Sequence, residues 1–255
     1  MIKFTVYVKM FPVIKMNDKI IYLDEVDSTN LYADKLCRSG GELPIAVVAD
    51  FQTKGSGRMG RSFHSPKGTG IYMTYILDTQ NIETLNLITT SAGLAVAEVL
   101  EEYCSLISSV KWPNDILLSS GKVCGILTRL ITVEGKIKFA LIGIGINVSG
   151  KKQDFPEEIK DIATTLEEET GKAFNKKILT EKIIENLNEI FINKKYTEKQ
   201  IVEDVKKRSA MLNKNVFVKG ENREFFAVDI SSDGGLVVRD GGEMKVIHSG
   251  EVEFS

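Results

Sequence analysis

Hydrophobic positions along this chain change period several times, and each change marks an element. Apolar residues at 19–23 predict a short strand. Asp27-Ser28-Thr29-Asn30 then offers capping side chains to a helix that ends at Ser39-Gly40-Gly41. The Ile/Val-rich stretch 45–50 predicts a buried strand leading into a glycine-rich loop, and 71–77 is a second β-rich run. Between 82 and 104, Leu85, Ile88, Ala92, Ala95, Val99 and Tyr103 recur at helical spacing, a stripe that faces a core. Strands are predicted at 110–112, 116–118, 123–132 and 137–148, with Ser120-Gly121 and Glu134-Gly135 as hairpin turns. The helical period returns at 175–196 and 198–208. From Asn213 onward only short strands and turns remain, punctuated by Asp233-Gly234-Gly235 and Asp240-Gly241-Gly242, so the C-terminal end reads as a separate small β-barrel.

Composition narrows the classes. A chain of 255 residues is long enough for one large domain, or one domain plus a small one. At 43% hydrophobic and 27% charged residues it lies in the ordinary globular range, and a net charge of -2 argues against general nucleic-acid binding. Cys37, Cys104 and Cys124 form no CxxC pair, and with only two histidines no zinc site is expected; a reducing cytoplasm fits best. No apolar run reaches the roughly 18 residues of a membrane span. Lys3, Lys9, Pro12 and Lys15 interrupt the N-terminal apolar residues, which makes a poor signal peptide, and Met16 is an alternative start.

Four segments carry candidate chemistry. Gly55-Ser56-Gly57-Arg58-Met59-Gly60-Arg61-Ser62-Phe63-His64-Ser65-Pro66 interleaves glycines with arginines, so backbone N–H groups and guanidinium charge can approach phosphate oxygens. It falls one letter short of a P-loop, with Arg61 in the lysine position. Pro66 and Gly68 disfavour the helix that a P-loop must open, which leaves an anion-binding flexible loop. Lys111-Trp112-Pro113-Asn114-Asp115 sets a cation, an amide and a carboxylate around a proline; taken alone, it is equally a strand ending in a turn. In Gly121-Lys122-Val123-Cys124-Gly125-Ile126-Leu127, Gly125 leaves room for close approach to the backbone, although a hairpin glycine and an edge lysine explain that pattern too. Gly143-Ile144-Gly145-Ile146-Asn147-Val148 lacks the third glycine of a dinucleotide fingerprint, and Asn147 is either a ligand contact or a turn former.

Taken in this order, the four segments resemble the biotin protein ligase family, whose members attach biotin to a lysine of a carrier domain. The likeness runs over 19–254 and includes Asp27-Ser28-Thr29-Asn30, Gln52 ahead of the glycine loop, and the closing Ser249-Gly250-Glu251-Val252. It implies an α+β fold, with a mixed central β-sheet of class II synthetase-like type flanked by helices and a small C-terminal SH3-like β-barrel. The corresponding division is an N-terminal extension at 1–18, a biotin- and ATP-binding catalytic domain at 19–210, and the barrel at 211–255. Residues 1–18 are too few for the helix-turn-helix domain that bifunctional relatives carry, so operator binding is not expected.

The resemblance implies two steps: ATP adenylates the biotin carboxylate, and the acyl group then passes to the carrier lysine. The first brings an anion to a triphosphate, so cations must gather there; at ~4 Å and an effective dielectric of ~20, one unit-charge pair is worth ~4 kcal/mol. Arg58, Arg61, Lys111 and Lys122 are the candidate cations, with Mg²⁺ as the expected metal partner of ATP and no protein-held metal site. By resemblance, Lys122 touches both the biotin carboxyl and the α-phosphate, and Arg58 closes the loop over them. Biotin is expected against Ser28, Thr29, Asn30, Gln52, Ser56, Gly57, Arg58, Lys122 and Gly125. The nucleotide is expected against Arg58, Arg61, Phe63, Lys111, Asn114 and Asn147, with Phe63 offering an aromatic face where many relatives have tryptophan. Asp115 is the candidate acceptor of the incoming lysine's proton. Ser56 stands where many members carry arginine, which predicts looser retention of the adenylate. The carrier protein is the expected partner and a homodimer the expected assembly, with no DNA and no membrane. The alternatives are a lipoate or octanoate ligase, a non-catalytic biotin sensor, and a nucleotide- or RNA-binding module.

Overall fold

The computed structural model describes residues 16–254; of the N-terminal extension set out above, residues 1–15 lie outside the described residues. The first strand starts at Met16, ahead of the predicted 19, so β1 spans Met16–Leu23. Helix α1 (Thr29–Ser39) crosses from it to β2 (Leu43–Ala49), which pairs parallel with β1. All later pairings in the sheet are antiparallel: β3 (Gly70–Asp78), β4 (Ser109–Lys111), β5 (Asp115–Leu118), β6 (Gly121–Val133) and β7 (Lys136–Asn147). The spatial order β1-β2-β3-β7-β6-β5-β4 makes a seven-stranded mixed sheet.

Helices cover both faces, which is why β2 reads as a continuous apolar run with every residue buried. One face packs on α2 (Ile88–Cys104), α4 (Lys176–Phe191) and α5 (Glu198–Arg208), where Ile142, Ile144 and Ile146 of β7 join the main core. The alternate residues Phe139 and Leu141 face α1 with Ala33 and Cys37 in a second core. The period of two along β7 thus sends Gly143 and Gly145 to the α1 side, beyond the end of that second core.

The C-terminal region folds as a five-stranded antiparallel sheet in the order β11-β10-β9-β8-β12. Its strands are β8 (Asn215–Val218), β9 (Arg223–Ile230), β10 (Leu236–Asp240), β11 (Glu243–Ile247) and β12 (Val252–Phe254). The two Gly-Gly sequences turn β9 into β10 and β10 into β11, as expected.

Several expectations need correction. The C-terminal region has its own sheet, as expected, but its core is completed from outside it: Trp112, in the turn after β4, sits beside Met211 and Leu236, and Trp112 Nε1 donates to Gly234 O at 2.9 Å. No side-chain cap closes α1, because the Asp27 carboxylate accepts from Ser28 N instead. The helix predicted from 82 begins at Ile88, since Thr84 is extended and its hydroxyl donates to Glu198. The helix predicted to 196 ends at Phe191, and Lys194 adopts a left-handed φ of 54° just beyond it. The short helix α3 (Leu166–Thr170), capped by Thr165, was not foreseen.

Candidate active site

The site starts as a register. Across five strands, Tyr72, Gly145, Gly125, Asp115 and Lys111 stand opposite one another in one row. Residues in one row share a face, so two side-chain-free positions form a flat floor that ends in a carboxylate and a lysine. The neighbouring row is Thr74, Gly143 and Leu127. The glycines are required by close approach: a Cβ on Gly145 would lie 2.4 Å from the Phe63 ring, and one on Gly143 would lie 2.1 Å from Asn30 Nδ2. Phe63 therefore lies directly on the floor, edge-on to Tyr72 with ring centroids 6.4 Å apart.

On one side of Phe63 is a chamber of neutral polar groups. Thr74 Oγ1 donates to Thr29 Oγ1 at 2.9 Å, which donates to Gln52 Oε1 at 3.1 Å. Gln52 Nε2 donates to Ser65 Oγ at 3.0 Å, and that hydroxyl donates to Phe63 O. The first turn of α1 is tied into this chain, because Thr29 N also donates to Gln52 Oε1 at 2.9 Å. Asn30, buried to within 6% of full coverage, leaves its Oδ1 without any hydrogen-bond partner. An unsatisfied buried acceptor costs ~1–3 kcal/mol, so a ligand donor placed there would recover that loss. The free volume is about 60 Å³, well below the ~300 Å³ of an ordinary ligand cleft, because Phe63 occupies the floor.

On the other side is a chamber of about 430 Å³ rich in charge. Lys122 Nζ lies 2.7 Å from Asp115 Oδ1, and Arg58 donates to Asn114 Oδ1 at 3.0 Å. Burial pushes the Arg58 guanidinium below its usual range, while Asp115 and Glu251 pull it back up. Arg61 reaches across to the C-terminal region, with Glu251 at 2.5 Å. Lys111 Nζ stands 5.6 Å from the centre of the Phe254 ring. Asn147 Nδ2 donates to Thr164 O at 3.1 Å, fixing a wall that includes Ile159, Ile162 and Ala163.

The structure sorts the residues singled out in the sequence into these two chambers. Ser28, Thr29, Asn30, Gln52, Ser56, Gly57, Arg58, Lys122 and Gly125 all line the neutral one. Arg58, Arg61, Phe63, Lys111, Asn114, Asp115 and Asn147 all line the charged one. Gly57, Arg58, Phe63, Asn114 and Lys122 line both, so the chambers meet at the Gly57 backbone and the other four side chains. The loop is held in one conformation by Gly57 N donating to Arg61 O at 2.7 Å and by a bridge between Ser56 and Ser62. Sequence reasoning missed Gly143 as floor, the 159–163 wall and the rim contributed by Glu251 and Phe254. The available signals were the alternation of glycine with isoleucine along β7, which marks one bare face, and the closing Ser249-Gly250-Glu251-Val252, which the resemblance included without a role. Among the described residues no group of three or more His, Cys, Asp or Glu side chains could hold a metal, and the three cysteines are buried and free.

Known proteins share this architecture. The Biotin/lipoate A/B protein ligase family profile matches residues 22–147, and that of the Biotin protein ligase C terminal domain matches 211–255. A bifunctional ligase/repressor of Bacillus subtilis is 32% identical over 94% of this chain and 75% of its own length. A biotin–[acetyl-CoA-carboxylase] ligase of Mycobacterium tuberculosis is 28% identical over 89% of this chain and 86% of its own. The structure of an Aquifex aeolicus biotin protein ligase in complex with biotin and ATP superposes with a TM-score of 0.78 at 35% identity, covering 94% of this chain and 99% of that one. Since the likeness extends through both the central sheet and the C-terminal region, the chain belongs to the biotin protein ligase family.

Proposed function

We propose that this protein activates biotin with ATP, forming biotinyl-5′-AMP and pyrophosphate, and passes the biotinyl group to a lysine of a biotin carboxyl carrier protein. The observation that carries the reading is the abutment of a neutral polar chamber and a cationic one at Lys122 and Arg58. A ureido ring is uncharged and offers one carbonyl and two N–H groups, which matches the neutral polar set Asn30, Thr29 and Gln52; an alkyl chain would leave the buried Asn30 Oδ1 unpaired. The carboxyl tail then points along the glycine floor to Lys122, where the nucleotide phosphates enter from the other side. Admitting the ring requires Phe63 to swing off Gly145, and its face is then available to the adenine.

Electrostatics favours the first step at this junction. Lys122 and Arg58 offset the repulsion between the carboxylate oxygen and the α-phosphorus it attacks, and Arg61 and Lys111 stabilise the departing pyrophosphate. If Mg²⁺ accompanies the triphosphate, Asn114 and Asp115 are the oxygen-bearing side chains of this chamber that would face it, and its charge would offset that of the phosphates. Once the ligand takes over Lys122, the Asp115 carboxylate loses its present partner at 2.7 Å. It is then free to orient the carrier lysine's ammonium and accept its proton, so that the neutral amine attacks the acyl carbon and AMP leaves. The protein works in the cytoplasm as a homodimer, and light scattering checks the latter.

Labelled biotin, ATP and a carrier domain supply the test. ATP-dependent label on the carrier lysine is the expected result; labelling by octanoate in place of biotin, or none at all, would overturn the reading.

A further inference from the structure

A second carboxylate, remote from the floor, bonds two segments that border the charged chamber. Glu169 lies on α3, and its two oxygens accept from four donors: Ser119 Oγ at 2.5 Å, Ser120 N at 3.0 Å, Thr164 Oγ1 at 3.1 Å, and Ser120 Oγ. Ser119 and Ser120 form the β5–β6 turn, two residues before Lys122. Thr164 belongs to the chain segment that walls the chamber. One carboxylate therefore staples the hairpin carrying Lys122 to the wall of the charged chamber.

The two stapled pieces are also zipped directly. Lys122 N donates to Ile162 O at 2.7 Å, and Lys122 O accepts from Thr164 N at 2.9 Å. Gly121 permits this approach: a Cβ there would lie 2.9 Å from Ile162 O. Ser120 Oγ and Thr164 Oγ1, both bonded to Glu169, lie 2.9 Å apart, and Asn147 Nδ2 donates to Thr164 O from the far side. Burial would raise the Glu169 carboxyl, but the hydrogen bonds from Ser119, Ser120 and Thr164 outweigh it and hold it below the ordinary range.

We propose that Glu169 is a positioning residue for nucleotide binding: through Ser119, Ser120 and Thr164 it fixes Lys122 and the 159–164 wall at the spacing that ATP requires, without touching either ligand. The proposal rests on the adenylation reading above. It weighs on the two substrates unequally: Thr29, Asn30 and Gln52, which hold the ring end of the neutral chamber, bond one another or α1 and make no contact with the staple, whereas the charged chamber includes both Lys122 and the 159–163 wall.

The test compares Glu169→Gln, Glu169→Asp and the unaltered protein in biotin-dependent ATP–pyrophosphate exchange, with amide hydrogen exchange read at Lys122 and Thr164. Loss of charge-assisted bonds should raise the KM for ATP ~10-fold, leave the KM for biotin within ~2-fold and lower kcat by no more than ~3-fold. Both amides should exchange faster in Glu169→Gln, and Glu169→Asp should recover part of the ATP affinity. Unchanged amide exchange, or equal changes in both KM values, would overturn the proposal, as would a lowered melting temperature with neither KM altered. Should the unaltered protein itself lack exchange activity, the adenylation reading fails, while the amide measurements still decide whether Glu169 staples the wall.

Discussion

The neutral chamber and the charged chamber share four side chains yet are held together in different ways. The neutral one is fixed by backbone register and by buried hydroxyl and amide groups that bond one another in sequence from Thr74 to Phe63 O. The charged one is assembled from the glycine loop, the β4–β6 hairpins, the 159–164 wall and the C-terminal rim. Its joints are ion pairs such as Arg61–Glu251, whose arginine is 60% exposed. Buried neutral networks gain from low dielectric and resist salt, whereas exposed pairs are worth ~0.2–1 kcal/mol and are screened. Selectivity for an uncharged ring can therefore be preorganised, while the nucleotide completes a site whose charges already have provisional partners.

Substitutions at the shared wall should have the largest effects. Lys122→Ala removes the cation at the junction and should lower adenylation, read as ATP–pyrophosphate exchange, by ~10²–10³. Asp115→Asn should leave adenylation nearly intact and slow transfer to carrier by ~10², measured in single turnover from preformed adenylate. In the neutral chamber, Gly143→Ala would drive a methyl group into Asn30, and overpacking of ~1–3 kcal/mol predicts biotin binding weakened by ~10-fold with ATP binding unchanged in calorimetry.

Smaller effects are expected where charges are provisional. Glu251→Gln frees Arg61 for phosphate, so the KM for ATP should fall by ~2–5-fold, an advantage that shrinks as salt rises. Burial acts to raise the Glu251 carboxyl, yet Lys219 and Arg61 hold it below the ordinary value. With the folded value depressed, the stability this carboxylate contributes is complete above the unfolded value of ~4.3 and is lost as pH falls through the lower, folded one. Acidification below ~4 should therefore loosen the loop from the rim in unaltered protein and leave Glu251→Gln unaffected, which fluorescence from a label on the loop can follow. Ser56→Arg restores a charge beside Arg58, and release of adenylate should slow by ~3-fold in stopped flow.

Much of this was legible from residue order. Alternation and turn residues located every strand of the central sheet, and the glycine loop, the Lys111–Asp115 block and Lys122 were chosen for their chemistry before any geometry was known. What escaped was tertiary. Trp112 reads as a strand-end aromatic and becomes a plug in the C-terminal core because its indole N–H finds Gly234 O. Gly143 and Gly145 read as a weak fingerprint fragment, and only the pairing of Gly145 with Gly125 shows that they make a floor. Residues 149–170 carry no strong period, so neither the wall nor the Glu169 staple could be read from the sequence. Capping at Ser28 was predicted from residue type, but Gln52 from another segment takes the Thr29 N–H.

A crystal structure with biotinyl-5′-AMP bound tests the central claim most directly. The reading predicts the ureido ring at Asn30, Thr29 and Gln52, Phe63 displaced from Gly145, and both Lys122 and Arg58 within hydrogen-bond reach of the acyl-phosphate junction. A ligand lying wholly in the larger chamber, with Lys122 still paired to Asp115, would contradict it.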